Sequence, residues 1–349
     1  MAVVFVEGFD AYNGAGNTLT APGLLSRWTI NGSGTVSLVP GRFGGQAFQA
    51  TLSPYDAGLG APVPTTSSSG TFGCAMYLTS AGTKGLINFA TGFSLASRQF
   101  TLATNNGYFV IGTDAFSSPY PNTIIYTCPV AVPLNQWFYF ELEFVISNTV
   151  GEIRMYYNGA LVGSATGLDT QTSTTTSSWG YLQLGLDSSA GTRWFDDLYI
   201  TDTPVRLGEQ RVATVVPTSD GTPSQWAASG GAVAPYTMVD EVLCNGDTDY
   251  IYDGTLGDRA VFNMASTGAT PLSVSAVQIG TFSRKTDTGY RAIQLQYVDG
   301  GGTAYSSSDI TLNTSYLRQV SLLGTNPATS TAWTPSEANA LKTGVRISV

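Results

Sequence analysis

The residues with the clearest chemical potential are two glutamates, Glu141 and Glu143, which lie two positions apart in an extended run. Residues i and i+2 of a strand share one face, which places the two carboxyl groups roughly 6.5–7 Å apart. That distance is close to the separation that an inverting glycoside hydrolase uses. Trp137 and Tyr139 lie on the same face and could stack on a sugar or shield the sheet. We favour the simpler interpretation, an exposed strand face without catalysis.

Residue types that are missing or isolated exclude several other kinds of site. The chain contains no histidine, so Ser-His-Asp catalysis, Cys-His catalysis and histidine metal sites are excluded. Its three cysteines, Cys74, Cys128 and Cys244, are an odd number at wide spacings. That pattern favours buried free thiols over a disulfide framework or a zinc site. The glycine-rich residues 42–45 precede a strand and do not match a phosphate-binding loop.

Three aromatic residues lie in predicted loops, where a ligand or another protein could reach them: Tyr55, Tyr120 and Trp179. Aromatic rings in such positions can bind carbohydrate by stacking on a sugar. Contacts between protein subunits use the same residue types. We favour subunit contacts, and carbohydrate binding by these three residues is the open alternative.

The paired glutamates must be positioned by the stretch Gln136–Val162, which has the pattern of a β-meander. Its first half alternates between apolar residues and residues such as Glu141, the period of a strand with one buried and one wet face. Residues 152–157 alternate in the same way, and Asn158-Gly159 suits a tight turn with positive φ. The pattern therefore predicts consecutive antiparallel strands, with both glutamates on the wet face of the first.

Short strands recur along the chain at intervals of about ten residues, which is typical of an all-β sandwich or barrel. Glycine-rich turns separate them, and helical stretches are rare. The segment Trp28–Val39 has Asn31-Gly32 at its middle and is predicted to form a hairpin.

Several short motifs follow one another in a particular order within residues 1–203. They are Glu7-Gly8-Phe9-Asp10, Gly41-Arg42-Phe43-Gly44-Gly45, Trp137 at a strand start, Tyr157-Asn158-Gly159 at a turn, and Phe195-Asp196-Asp197-Leu198-Tyr199-Ile200. Their order resembles the concanavalin A-like, laminin-G-like jelly roll. The resemblance implies an N-terminal sandwich domain of that fold over residues 1–203. The Glu-x-Asp-x-x-Glu arrangement of laminarinase-like hydrolases on the same fold is absent.

The same resemblance raises the question of a metal at Asp196 and Asp197. Acidic loop residues of laminin-G-like modules can hold calcium, and calcium requires hard oxygen ligands of this kind. Adjacent carboxylates on a strand point to opposite faces, so both can bind one ion only if the strand bulges or bends. We favour the capping of a turn as their role and keep calcium as the alternative. No other cofactor is expected.

The best predicted helix lies near the C-terminus, at residues 335–343. Thr334 is suited to the N-cap position and Pro335 to the first helical position. Glu337 stands three residues after the N-cap and completes a capping box. Gly344 is predicted to end the helix before a final strand.

A linker is predicted at Thr201–Leu207, so that residues 204–349 form a second β-rich domain carrying this one short helix. Two of its segments are GEQRVATVVPTSDGTPSQW, residues 208–226, and NPATSTAWTPSEANALKTGVRIS, residues 326–348. Together with the jelly roll that precedes them, they resemble the structural proteins of tailed bacteriophages. The resemblance implies a component of the virion, in a tail appendage or as a decoration on the head.

Composition and charge limit the partners of this chain. A net charge of −9 argues against nucleic acid, and no apolar run approaches the ~20 residues of a membrane span. Charged residues make up 11% of the chain and lysine occurs three times, so the surface lacks charges that oppose protein interfaces. We predict a non-enzymatic virion protein, in the tail, that assembles with itself and with other virion proteins. Head decoration is one alternative; a carbohydrate-binding module for a host surface glycan is another.

Overall fold

The structure of the 349-residue chain is a computed structural model. It describes residues 2–12, 27–32, 35–51, 57–113, 120–172, 176–185, 191–231, 234–268 and 271–349. Contacts between residues divide the chain into two compact units. Of the described residues, the first unit contains those in 2–9 and 27–212, and the second contains 10–12 and those in 213–349. Residues 204–212, which the sequence places in the second domain, lie with the first unit.

The strands of the first unit pair antiparallel throughout its described part. In chain order they are β1 (Val3–Glu7), β2 (Thr29–Gly32), β3 (Thr35–Pro40), β4 (Gln46–Thr51), β5 (Ala57–Pro62), β6 (Ser69–Leu78), β7 (Lys84–Ala90), β8 (Arg98–Asn105), β9 (Tyr108–Thr113), β10 (Thr123–Ala131), β11 (Trp137–Val145), β12 (Gly151–Tyr157), β13 (Ala160–Leu168), β14 (Tyr181–Leu184) and β15 (Arg193–Thr201). A short 3-10 helix at Leu95–Ser97 precedes β8.

These strands form two sheets. The order in the eight-stranded sheet is β13-β12-β11-β6-β15-β4-β3, with β1 also paired to β15. The order in the seven-stranded sheet is β10-β9-β8-β7-β14-β5-β2. The sheets pack face to face through aromatic rings: the centroid of Phe89 lies 4.8 Å from that of Phe144, and Phe109 lies 4.8 Å from Phe140. The predicted all-β jelly-roll sandwich is confirmed.

The predicted β-meander is confirmed as β11, β12 and β13, which pair in sequence. Phe138, Phe140, Leu142 and Phe144 of β11 point into the sandwich, where burial of each such side chain contributes about 1.5–3 kcal/mol. Asn158 and Gly159 adopt positive φ of 47° and 82° at the turn between β12 and β13. Alternating side chains thus fix which residues of β11 face away from the core.

The hairpin predicted at Trp28–Val39 is wrong. Strand β2 pairs with β5 in the seven-stranded sheet, and β3 pairs with β4 in the eight-stranded sheet. The segment therefore carries the chain from one sheet to the other. Asn31-Gly32 has the composition of a hairpin turn, but the pairing partners of both strands lie elsewhere in the chain.

The second unit is also built of short antiparallel strands in its described part. They are β16 (Pro217–Ser224), β17 (Ala227–Ala228), β18 (Ile251–Tyr252), β19 (Arg259–Met264), β20 (Val277–Ser283), β21 (Ala292–Val298), β22 (Ala304–Ser306), β23 (Ile310–Thr311), β24 (Leu317–Leu323) and β25 (Lys342–Ile347). Two 3-10 helices lie at Ser229–Gly231 and Pro235–Met238.

A six-stranded sheet with the order β16-β19-β25-β21-β22, in which β23 also pairs with β21, is the centre of this unit. Strands β17 and β18 pair with each other, as do β20 and β24. The core includes Ile293 and Leu295 of β21, and the ring of Tyr297 lies 5.1 Å from that of Trp333. The indole of Trp333 donates a 3.0 Å hydrogen bond to the carbonyl of Leu323.

The C-terminal helix, α1, spans Pro335–Ala338 and has the predicted capping box. The amide of Glu337 donates to the Thr334 hydroxyl at 3.3 Å, and the Glu337 carboxylate accepts from the Thr334 amide at 2.8 Å. The prediction that Gly344 ends this helix is wrong, because Gly344 lies inside β25. A Cβ on Gly344 would come within 2.7 Å of the Ala260 carbonyl, so the close approach of two strands requires the glycine. No helix of the described residues is long and apolar enough to cross a membrane.

Candidate functional site

The outer face of the eight-stranded sheet, the side of β11 and its neighbours that points away from the core, holds the residues with chemical potential. Strand register aligns them in rows across the sheet. Glu141 of β11 lies between Gly73 of β6 and Tyr156 of β12. Glu143 occupies the next row and lies beside Arg154 of β12. The two glutamates therefore lie on one face of β11, as the sequence predicts.

Glu141 is completely buried, with 0% of its surface exposed. Its Oε1 atom accepts a 2.6 Å hydrogen bond from the Tyr199 hydroxyl and a 2.8 Å bond from the Gly208 amide. Its Oε2 atom accepts from Nη1 of Arg206 at 3.2 Å, which forms an ion pair. A buried carboxylate needs such compensation, and these three donors supply it.

Glu143 is also buried, with 8% exposed, and it contacts the same part of the chain. Its Oε1 atom accepts a 3.2 Å hydrogen bond from the backbone amide of Arg206. Its Oε2 atom accepts from the Tyr156 hydroxyl at 3.0 Å and lies 3.7 Å from Nη1 of Arg154. Both glutamates therefore bind residues 204–212, which we call the strap.

The middle of the strap is held by apolar packing as well as by charge. Leu207 packs against Tyr139, Tyr199 and Ala75 on the outer face, and its amide donates a 2.9 Å hydrogen bond to the Tyr199 hydroxyl. Burial raises the pKa of Tyr199, and the adjacent Glu141 carboxylate raises it further. Tyr199 consequently keeps its proton and serves as the donor to Glu141.

The second half of the strap is held by the aspartates of β15. The strand bulges after Asp196, and Asp197 adopts a φ of 51°. Oδ1 of Asp197 accepts a 2.8 Å hydrogen bond from the Val212 amide, and Oδ2 of Asp196 accepts from the Arg42 amide at 2.8 Å. The Arg42 side chain in turn forms an ion pair with Glu209 of the strap. Both aspartates thus accept hydrogen bonds from backbone amides of other segments of the chain.

The strap explains why the expected exposure of the glutamate face is wrong. Alternation along β11 correctly separates two faces, but the second face is covered by a distant part of the chain and not by water. A hydrolase of the kind that the spacing suggests needs both carboxyl groups open to substrate and water. In this structure three protein donors surround the Glu141 carboxylate instead.

An aromatic cluster remains partly exposed at one end of the outer face, and we call it the aromatic row. It contains Trp137 of β11, Tyr77 of β6 and Trp194 of β15, which are direct register neighbours. The rings of Tyr77 and Trp194 stack with centroids 4.3 Å apart. Trp137 lies 5.9 Å from Tyr77 and 6.0 Å from Trp194. The sequence reveals that each ring belongs to a strand. It does not reveal the order of the strands in the sheet, on which the cluster depends.

The three aromatic residues predicted for carbohydrate binding do not form a group. Tyr55 lies outside the described residues. Tyr120 is partly buried, and burial raises its pKa. The expected exposure of Trp179 is wrong, because only 1% of it is exposed. Its ring packs against Phe89 and Phe144, and its indole donates to the carbonyl of Ser69 at 3.2 Å. Trp179 belongs to the sandwich core, because its loop folds inward.

Candidate metal ligands are dispersed in the structure. Among the described residues no group of three or more His, Cys, Asp or Glu side chains could hold a metal ion. Calcium at Asp196 and Asp197 stays a prediction. In the second unit, Asp247 accepts hydrogen bonds from the Tyr316 hydroxyl at 2.8 Å and from Arg284 at 2.9 Å, and these bonds lower its pKa.

The cysteines are free thiols, as predicted. Cys74 and Cys128 are buried in the first unit, whereas Cys244 of the second unit is partly exposed. Burial raises the pKa of Cys74 well above its ordinary value, and the neighbouring Asp196 carboxylate adds to the effect. A thiol in this state is a poor nucleophile.

Comparisons with known proteins do not assign a family. No protein-family model and no curated protein matches the chain. Solved structures that match include the carbohydrate-binding module CBM66 from Bacillus subtilis, at 12% identity and a TM-score of 0.32 over 49% of this chain and 92% of the other. Another is a conserved carbohydrate esterase from the Shiga toxin-encoding bacteriophage phi24B, at 12% identity and a TM-score of 0.34 over 56% and 98%.

A third similar structure is the binding domain of botulinum neurotoxin DC in complex with SialylT. It matches at 10% identity with a TM-score of 0.37, over 92% of this chain and 94% of the other. The set thus includes binding modules as well as an enzyme. With TM-scores this low, these likenesses carry no argument about what this chain binds or does.

Proposed function

We propose that this chain is a non-enzymatic structural protein of a bacteriophage virion, located in the tail or a tail appendage, where it assembles with copies of itself and with other virion proteins. The observation that carries the proposal is an uncharged edge of the first unit. Strand β13 lies at one end of the eight-stranded sheet and β10 at one end of the seven-stranded sheet, and neither contains Asp, Glu, Lys or Arg.

The two strands lie next to each other and expose apolar side chains. Tyr157 bridges them from β12, donating to the Val130 carbonyl of β10 at 3.5 Å, and the Cys128 thiol lies 3.6 Å from the Val162 carbonyl of β13. Leu161 is 56% exposed, and Ile124 is also exposed. Soluble monomers protect such edges with charged side chains, chiefly lysine. An edge that lacks them suits a surface that a neighbouring subunit covers.

The chemistry of the edge favours side-chain packing over extension of a sheet. Pro129 removes a backbone donor from β10, so that strand cannot pair along its whole length. Ile124, Val130 and Leu161 supply apolar area without any charge to repel an identical surface. The chain carries a net charge of −9, so an uncharged edge is where two copies approach with the least repulsion.

The outer face supports the non-enzymatic part of the proposal. The two glutamates that could act as acid and base are held by Tyr199, Arg206 and Gly208, and the chain has no histidine to replace them. The virion assignment rests on the resemblance of the jelly roll and the two later segments to structural proteins of tailed phages. Head decoration is the second candidate, since the same edge would serve on a capsid.

Light scattering of the purified full chain tests the role of the edge. We expect the wild-type chain to form an oligomer. Leu161→Asp should raise its dissociation constant at least tenfold, because the added charge would be buried in the interface between subunits. Val150→Asp is the matched control, because Val150 is an exposed apolar residue in the turn before β12. A wild-type chain that stays monomeric at high concentration contradicts the proposal, as does equal behaviour of the two variants.

A further inference from the structure

We propose that the aromatic row is a binding site for a neutral sugar ring, with Trp194 as the stacking surface and Gln49 as the hydrogen-bond donor. This inference goes beyond the assembly role and does not depend on where the chain resides. It also differs from the carbohydrate site predicted from the sequence, which included the buried Trp179.

Trp194 is partly exposed, and only one of its two faces stacks on a ring of the row. Its first face stacks on Tyr77, at 4.3 Å and with an interplanar angle of 22°. Tyr77 lies on β6, on one side of Trp194, so the opposite face of the indole is turned towards β4 on the other side. A sugar presents a patch of C–H groups to such a ring, and an indole is the aromatic side chain with the largest area.

The neighbouring strands provide a polar floor beside this ring. Gln49 of β4 is the register partner of Trp194, and Ser37 of β3 is the register partner of Gln49. The Ser37 hydroxyl donates to Oε1 of Gln49 at 3.2 Å, which leaves the amide nitrogen of Gln49 as a donor for a ligand. Both side chains are smaller than Trp194, so a ligand that stacks on the indole can also lie over these two polar side chains. This combination matches a ring that has an apolar face and a rim of hydroxyl groups.

The charges of the row restrict the kind of sugar. From Trp137 through Tyr77, Trp194 and Gln49 to Ser37, five neighbouring strands contribute no charged side chain to the row. The chain as a whole carries −9, so uronates and sialylated glycans would be repelled. A neutral hexose or N-acetylhexosamine avoids this repulsion.

Binding of the full chain to a glycan array tests the proposal. The array carries neutral oligosaccharides of hexoses and N-acetylhexosamines, with uronate and sialylated oligosaccharides for comparison. We expect binding to members of the neutral set and quenching or shifting of tryptophan fluorescence by the same oligosaccharides in solution. Absence of binding to the neutral set by folded protein, or preference for the acidic set, overturns the proposal.

Variants localise the binding to the row. Trp194→Ala and Gln49→Ala should each weaken binding at least tenfold, and Trp194→Phe, which preserves the stack on Tyr77, should weaken it less than Trp194→Ala. Phe93→Ala is the control, because Phe93 is an exposed ring of the first unit outside the row. Gln49→Ala changes no ring, so it remains informative if Trp194→Ala fails to fold. Unchanged binding in Gln49→Ala overturns the proposal, and so does unchanged binding in a folded Trp194→Ala protein.

Discussion

The hydroxyl of Tyr199 donates a 2.6 Å hydrogen bond to Oε1 of Glu141, although the two residues are 58 positions apart in the chain. The same carboxylate oxygen accepts the Gly208 amide of the strap. Acidic residues whose spacing suggests catalysis therefore hold one segment of the chain on the outer face. Four expected outcomes follow from this arrangement and from the caps and strands around it.

Replacement of Glu141 by alanine should strongly destabilise the first unit. The change removes the acceptor for Tyr199 and Gly208 and leaves Arg206 without its partner. Each buried donor left without its acceptor, the Tyr199 hydroxyl and the Gly208 amide, costs about 1–3 kcal/mol. Denaturant unfolding followed by tryptophan fluorescence measures the effect. Glu152→Ala is the control, because Glu152 pairs with Arg154 in an exposed ion pair worth about 0–1 kcal/mol. Equal losses of unfolding free energy in the two variants would show that the contacts of Glu141 stabilise the first unit no more than an exposed ion pair does.

The strap should become accessible to trypsin when its anchor is removed. In the wild-type chain the amide of Arg206 donates to Glu143 and its side chain donates to Glu141, which keeps the following peptide bond folded against the sheet. We expect cleavage after Arg206 at least tenfold faster in Glu141→Ala, because proteolysis follows the population of the locally open state. Cleavage after Lys285 of the second unit serves as the internal reference. An unchanged ratio of the two rates would contradict the role of the strap.

Gly73→Ala should destabilise the first unit by about 2–3 kcal/mol, at the upper end of the range for overpacking. A Cβ at this position would lie 2.0 Å from Cε1 of Tyr199, the residue that positions both Glu141 and the strap. Gly82→Ala is the matched control, since the nearest atom to its Cβ is 3.7 Å away. The measurement is the free energy of unfolding of each variant. A Gly73→Ala protein as stable as the control would mean that Tyr199 does not lie over Gly73.

Stability of the first unit should fall at alkaline pH because of its buried tyrosines. Burial raises the pKa of Tyr139 well above the ordinary 10.0, and nearby Tyr199 adds to the shift. The folded state then holds the proton more tightly than the unfolded state. The stability that Tyr139 contributes through this difference in pKa is complete below pH 10.0 and is lost as the pH rises above that value. Denaturation midpoints from about pH 8 to about pH 11 should fall less steeply in Tyr139→Phe than in the wild type. Tyr108→Phe, at an exposed position, is the control and should show the same dependence of the midpoint on pH as the wild type. The same pH dependence in both variants would contradict the role of Tyr139.

Local patterns in the sequence predict several elements of both units. Alternation in β11 and β12, the turn at Asn158-Gly159 and the capping box at Thr334 depend on residues close together in the chain, and all are present. The hairpin at Trp28–Val39 fails because its two strands find distant partners in different sheets. Strand order is set by contacts that no local pattern encodes.

The outer face shows the same limit at the level of single residues. The sequence places Glu141 and Glu143 on one face of a strand, but their burial depends on residues 204–212, which the sequence assigns partly to a linker and partly to the second domain. Arg206 of that segment donates hydrogen bonds to both glutamates. The sequence does not reveal this role, because it depends on the contact between the strap and β11. The aromatic row likewise combines three strands that are far apart in sequence.

Quantitative mass spectrometry of tailed phage particles purified from a lysate that contains this chain, with heads and tails separated, tests whether the chain is a virion protein. If it is a tail protein, the intact chain is recovered in the tail fraction at several copies per particle, in a constant ratio to the other tail proteins. Recovery with the heads would instead support the decoration role. Absence of the chain from both fractions, with the protein found only free in the lysate, would contradict the proposal that it is a virion protein.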